Sequence, residues 1–348
     1  MYNIIYKEKV IIPPVGLLNL SRVNKKNKKK YAKDCNLNLY NICYMNSSIQ
    51  CLFHLDEFVY KILNCSSGEL VKATSELIND MITLKDERQI LSVSKIKEIM
   101  EEINEKYKES NQEDANEFLS FYIDELLEET LDKSTPIEKM LLEDKYDKEA
   151  FDIFYNKFYK KRGSSFILDL FYGILRTEKY CEKCSIKYSI KFNAYNILEL
   201  PIVGLVNNKN ESLDIKYILE NFCDKKVTNS TCYKCREKLI SISQIFTLPK
   251  CLIIYLGIVV DNNYIKNNII ISKTIDLEYL LYNKNKKKEN YKYILKGVIY
   301  HSFIGKLGHY SASCLTNIGW YYFDDYFVEK DEESFIDKKP IILFYEKE

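Results

Sequence analysis

The chain has 348 residues, 46% of them hydrophobic and 14% aromatic, enough to bury a large core in one domain or in two to three coupled subdomains. Its 51 Lys and Arg against 50 Asp and Glu leave a formal charge of +1, which excludes a global field directed at nucleic acid or an anionic membrane. No apolar run approaches the roughly 18 residues of a membrane helix, and residues 1–16, broken by Lys7, Glu8 and Lys9, lack the apolar core of a secretion signal.

Eleven cysteines without such a signal imply reduced thiols in the cytoplasm or nucleus, where metal ligation or catalysis is a commoner use than a disulfide framework. The tract NKKNKKK (24–30) reads as a solvated loop, as does NKNKKKEN (283–290). NICYMNSSIQ (41–50) sets Cys43 at the mouth of a helix in which Ile49, Leu52, Phe53 and Val59 fall near helical spacing. LVKATSELINDMITL is a second amphipathic segment. The clearest helix is SNQEDANEFLSFYIDELLEETL, with Ala115, Phe118, Leu119, Tyr122, Ile123, Leu126 and Leu127 on one stripe and Ser110 with Glu113 as a capping box. From about Phe166 the pattern becomes β-type: FILDLFYGILRT, SIKFNAYNILELPI, FTLPKCLIIYLGIVV, YKYILKGVIY, HYSASCL, GWYYFDD and PIILFYE. Helices first and strands afterwards predict an α+β protein.

Cys181-Glu-Lys-Cys184 and Cys232-Tyr-Lys-Cys235 form two CxxC pairs, each at a hairpin turn. Four thiolates in two such knuckles suit structural, tetrahedral Zn²⁺. A redox use is the alternative, but neither pair opens a helix in a βαβ setting.

A nucleophilic cysteine needs a histidine to take its proton and a third group to orient that histidine. A helix N-terminus at Cys43 favours thiolate. Three histidines are available, His54, His301 and His309. His54, between Phe53 and Leu55, reads as a packed or surface residue, and His301 as a structural residue at the end of a strand. His309 has the better setting: Gly305 and Gly308 precede it as a flexible loop, and the strand HYSASCL follows. After a turn at 317–319, an antiparallel return through WYYFDD would bring Asp324 or Asp325 beside the imidazole.

Taken in order, CYMNS (43–47), QEDANEFL (112–119), the two CxxC pairs, and Gly308-His309-Tyr310 followed by WYYFDD resemble the ubiquitin-specific proteases, over roughly residues 16–346. The resemblance implies a single catalytic domain over 1–348 with a papain-like fold. A helical thumb would span about 16–165 and a β-rich palm 166–348, with zinc-bearing fingers at about 178–250. It implies hydrolysis of the isopeptide or peptide bond after ubiquitin's C-terminal glycine through a thioester, with ubiquitin and ubiquitinated proteins as partners and no cofactor for the chemistry. Carried over, Cys43 is the nucleophile, His309 the general base and Asp324 its orienting residue, with Asp325 the alternate. Gln112, Asp114, Gly308 and Tyr310 fall in motifs that line the cleft for the ubiquitin tail.

The family's oxyanion asparagine lies five positions before the cysteine, at Asn38 here. The surrounding block departs from the family's GLxNLGNTCYMNS, with Tyr40 in place of glycine and Ile42 in place of threonine. GLLNL stands intact at 16–20, and deleting 21–39 would restore the register with Asn19 as the oxyanion residue. Residues 21–39 therefore read as a Lys/Asn-rich surface insertion or a translated intron. Asn116 and Phe303 also depart from family usage, at positions where histidine and glycine are common. Tyr40, Ile42 and the insertion motivate the alternative of a catalytically weak or inactive ubiquitin-binding scaffold of the same fold, and an activating partner is a further expectation.

Overall fold

The computed structural model describes residues 10–21, 39–84, 90–109, 111–160, 162–202, 205, 212–260, 263–264, 267–282, 290–304, 307–331, 335 and 338–348. Asn38, Ser110, Gly305, the tract 24–30 and residues 283–289 lie outside them. Helices precede strands as the α+β reading requires. The chain folds as two compact units, Met1–Glu129 with Lys296–Phe344, and Thr130–Leu295 with Tyr345–Glu348.

In the first unit, α1 (Cys43–Phe53) is buried at every residue, so it is a central helix rather than a surface one. Helices α2 (Asp56–Leu63), α3 (Glu69–Thr83) and α4 (Ser94–Ile103) bury only one stripe each. The stripe of Ala115, Phe118, Leu119, Tyr122, Ile123, Leu126 and Leu127 is the buried face of α5 (Ala115–Thr130). Its N-terminus differs from the capping box expected at Ser110 and Glu113. Asp114 Oδ1 accepts from the amides of Asn116 at 2.8 Å and Glu117 at 3.1 Å, because a short carboxylate directly before the first turn reaches the free amides.

In the second unit, α6 (Lys145–Phe158) is capped by the Asp144 carboxylate, which accepts from Tyr146 N and Asp147 N. The run FILDLF, expected as strand, is instead the short helix α7 (Phe166–Phe171). Ser165 caps it through Ile167 N, and Ile167, Leu168, Leu170 and Phe171 are buried at helical rather than alternating spacing. Strands then follow as β1 (Gly173–Cys181), β2 (Ile186–Tyr195), β3 (Leu198–Pro201), β4 (Lys226–Thr231), β5 (Lys238–Thr247) and β6 (Cys251–Gly257), with α8 (Ile215–Phe222) before β4. Four of them form a sheet in the order β2-β1-β5-β4, and β3 pairs with β6 in parallel. Phe151 and Phe154 of α6 meet Phe192 and Phe246 in an aromatic core. Beside it Arg176, 1% exposed, is held by Asp147, Glu178 and Gln244 and lies over the Tyr282 ring at 4.1 Å.

The remaining long strands are β7 (Lys292–Ile304), β8 (Leu307–Thr316), β9 (Gly319–Asp324), β10 (Phe327–Lys330) and β11 (Pro340–Lys347). In the first unit their order is β10-β9-β8-β7-β11. Helix α1 packs on β8 and β9, which sets the N-terminus of the helix against the strands that carry His309 and Asp324.

Candidate active site

Cys43 is the first residue of α1 and is 3% exposed. The helix has no acidic residue of its own in the first turn and no side-chain cap, so its first amides present the positive end of the dipole beside Cys43. His309 lies on β8, two residues inside the strand rather than in a loop before it, because β7 continues past His301 to Ile304. Beyond the 317–318 turn, β9 returns antiparallel to β8 and ends at Asp324.

His309 Nε2 lies 2.5 Å from Asp324 Oδ1, with both side chains largely buried. That contact leaves Nδ1 for the Cys43 thiol, which hydrogen-bonds the ring. Burial alone would disfavour the charged imidazole. Asp324 and Cys43 outweigh it and push the His309 pKa up to about 10. The three residues, from one helix and two strands, form a thiol–imidazole–carboxylate chain.

The other histidines are placed otherwise. His54 is buried, with Nδ1 2.7 Å from Gln50 O and its ring against Phe323. The His301 ring lies tilted against Tyr310 at 4.4 Å between centroids, and its Nε2 would be 2.4 Å from a Cβ on Gly308.

Asp325 takes a direction different from Asp324. Its φ of +56° turns the chain, and its carboxylate, 4% exposed, accepts from Asn46 Nδ2 at 2.8 Å and Asn19 Nδ2 at 3.1 Å. Burial pushes its pKa up to about 6 even though both amides oppose the rise. Its carbonyl accepts from Leu17 N at 3.0 Å, and Gly16 runs so close that a Cβ there would lie 2.4 Å from Tyr326 O. The segment Gly16–Leu20 is thereby strapped beside the start of α1, with Asn46 Nδ2 also donating to Leu18 O. Asn46 was legible in the CYMNS motif, yet nothing local marked it as Asp325's partner.

The strap returns to α1 through a clasp. Leu20 N donates to Leu39 O at 2.8 Å, and the Ser21 hydroxyl donates to Asn41 Oδ1 and accepts from Asn41 N, both at 2.9 Å. Asn19 thus belongs to the described site, whereas Asn38 lies outside the described residues.

Gln112, Asp114, Gly308 and Tyr310 bond to one another. Gln112 Nε2 donates to Gly308 O at 2.5 Å, and Gly308 N donates to Gln112 Oε1 at 2.8 Å. The Tyr310 hydroxyl donates to Asp114 Oδ2 at 3.4 Å.

In the second unit the four cysteines converge. Cys181 and Cys184 sit at the β1–β2 tip, Cys232 and Cys235 at the β4–β5 tip, and all four sulfurs lie within 4.8 Å of one another. Cys181 and Cys235 are 3.5 Å apart, Cys184 and Cys232 4.0 Å. Zn–S bonds of about 2.3 Å in a tetrahedron require sulfur separations of about 3.8 Å, so the cluster fits a four-coordinate metal. Ser185 and Arg236, the residues after each pair, both take left-handed φ angles, +52° and +66°, which curl each knuckle around its two sulfurs. The Tyr188 hydroxyl hydrogen-bonds Cys232 and lowers its pKa.

No described helix is long and apolar enough to cross a membrane. Residues 36–345 match the family described as ubiquitin carboxyl-terminal hydrolase. The chain is 28% identical over 328 residues to Ubiquitin carboxyl-terminal hydrolase Usp2 of Drosophila melanogaster, covering 89% of this chain and 34% of that protein. It is 25% identical over 352 residues to human Ubiquitin carboxyl-terminal hydrolase 3, covering 88% and 66%. It therefore spans about a third of the fly relative's length and just under two thirds of the human one's. Among solved structures, a chain of the SAGA Ubp8/Sgf11/Sus1/Sgf73 DUB module bound to ubiquitin aldehyde superposes with a TM-score of 0.66 at 20% identity, over 90% of this chain and 69% of that one. That likeness establishes a shared fold.

Proposed function

We propose that this chain, which belongs to the ubiquitin carboxyl-terminal hydrolase family, is a cysteine-type deubiquitinase that cleaves the bond after the C-terminal glycine of ubiquitin. The observation that carries the reading is the Cys43–His309–Asp324 chain at a helix N-terminus. The relatives' names and the ubiquitin aldehyde bound by the structurally similar module support it.

In this reading Cys43 gives its proton to His309 as its sulfur attacks the glycine carbonyl carbon, and the carbonyl π electrons pass to oxygen. Collapse of the tetrahedral intermediate expels the amine, which takes the proton from His309 and leaves a thioester on Cys43. Water then attacks the thioester as His309 takes its proton. The second collapse frees the carboxylate of ubiquitin and returns the proton to the Cys43–His309 pair. Asp324 holds the ring so that one nitrogen faces sulfur throughout. Asn19 is assigned to the oxyanion: one Nδ2 hydrogen is held by Asp325, which leaves the second as the donor, and removal of one such donor costs about 2.7–4 kcal/mol in the barrier. Asn38 is the alternative given by its position five residues before Cys43.

Cys181, Cys184, Cys232 and Cys235 are assigned to one structural Zn²⁺, which would cross-link two hairpin tips and take no part in the chemistry. A reducing compartment, cytoplasm or nucleus, would keep these thiols and Cys43 reduced.

The test is a ubiquitin bearing a C-terminal electrophile, incubated with the wild type and with Cys43→Ala. An adduct by intact mass that requires Cys43 supports nucleophile and substrate together. Binding of ubiquitin without an adduct would replace the enzyme reading with a scaffold of the same fold.

A further inference from the structure

Four residues that sequence motifs assign to the substrate cleft satisfy one another instead, and they do so on either side of His309. On β8, Gly308 and Tyr310 flank the histidine. Gln112 bonds both main-chain groups of Gly308, and Asp114 takes the hydroxyl of Tyr310. Both partners come from the few residues before α5.

The topology explains the need. β9 registers with β8 only as far as Ala312, opposite Phe323, so among the described residues no strand continues along that edge at Gly308. A primary amide presents one acceptor and two donors in a plane, and can meet an N–H and a C=O of the same residue as a neighbouring strand would. Gln112 does this for Gly308. Asp114 is fixed in turn, since its other oxygen caps α5 through Asn116 N and Glu117 N. His301 packs over Gly308, so that a Cβ there would lie 2.4 Å from its Nε2.

We infer that Gln112 is a positioning residue for His309: its amide substitutes for a missing strand at Gly308 and holds the imidazole in line between Cys43 and Asp324. Asp114 supports the same bracket through Tyr310. This rests on the proposed role of His309, but its immediate consequence is structural and can be read without substrate.

The experiment uses the full chain with Gln112→Ala and, as the near-isosteric control, Gln112→Glu, which retains an acceptor for Gly308 N and loses the donor to its carbonyl. The imidazole of His309 is followed by NMR titration, which three histidines in all make tractable. The charged or titratable groups facing it are Cys43, Asp324, Asp325 and His301. The expected result is that His309 titrates well below its wild-type value in Gln112→Ala and at an intermediate value in Gln112→Glu. Ubiquitin hydrolysis should fall in kcat by up to about 100-fold with KM within about twofold, as expected of a small misplacement of a reacting group. Ubiquitin affinity in a Cys43→Ala background should not change. An unchanged His309 titration with KM raised and kcat preserved overturns the inference and makes Gln112 a substrate contact. If the wild type does not hydrolyse ubiquitin, the deubiquitinase reading fails while the titration still decides the bracket. Should Gln112→Ala not fold, the Gln112→Glu titration alone decides it, because an unshifted His309 there refutes the role.

Discussion

Asn19 and Asp325, 306 positions apart, meet through a 3.1 Å hydrogen bond in which the amide donates to the carboxylate. Adjacent aspartates therefore divide the labour at this site. Asp324 serves the imidazole, while Asp325 ties the Gly16–Leu20 strap and Asn46 to the end of β9.

Replacing Asp325 with alanine should destabilise the chain by about 1–3 kcal/mol, since two buried amides lose their acceptor. The group's folded pKa, near 6, exceeds the ordinary 3.8, so its own contribution is fully present below pH 3.8 and lost as pH rises through 6. The stability of wild type relative to Asp325→Asn, read from urea midpoints between about pH 3.5 and 7, should fall as pH rises, mainly inside that window. A constant difference would show that Asp325 is not titrating there.

His309 gives the opposite half of the scale. Its pKa of about 10 against 6.5 means that its stabilisation is complete below pH 6.5 and disappears as pH climbs through 10. The stability gap between wild type and His309→Ala should therefore be widest near pH 6 and shrink toward pH 10. A gap that stays flat across the range refutes an imidazolium held by Asp324 and Cys43.

Asp324→Ala should retain ubiquitin binding and lose on the order of 10³–10⁴-fold in kcat, because the ring is no longer fixed in one tautomer and orientation. Asp325→Ala should leave the His309 NMR titration much closer to wild type than Asp324→Ala does. Equal effects would mean that either aspartate can orient the ring.

For the four-cysteine cluster, metal analysis should find about one zinc per chain in wild type and far less in Cys184→Ser, with a lower melting temperature. A full complement of zinc in the serine variant would move the site elsewhere.

Arg176→Ala should cost about 3–5 kcal/mol, since it strands Asp147 and Glu178, the first of them buried, without their cation. Denaturant midpoints measure it, and a loss under 1 kcal/mol would show that the network relaxes onto Tyr282 and water.

Residues whose chemistry is written in short local patterns were readable from the chain alone. Cys43 before an apolar helix, two CxxC pairs at turns, and the stripe of α5 needed no partner to be noticed. What escaped needed a distant one. Asp325 cannot reveal its clasp on Asn19 and Asn46 without the fold, and Asp114 looks like part of a cleft motif until its amides and Tyr310 are in place. FILDLF misled because six residues, five of them apolar, carry too little period to separate strand from buried helix. Arg176 reads as one charge in a strand, and only the sheet brings Gln244 and Asp147 to it.

The clasp of Leu20 on Leu39 and Ser21 on Asn41 brings two stretches 18 or more positions apart in sequence together beside Cys43. Chain anchored at both ends adds entropy cost only as the logarithm of its length, about 0.6 kcal/mol per doubling. The site therefore has a port at which sequence can be lengthened, shortened or exchanged within a few residues of Cys43 while the strap and helix keep their register. Natural variation, or a grafted recognition peptide, could accumulate there beside the reaction at little expense to the fold.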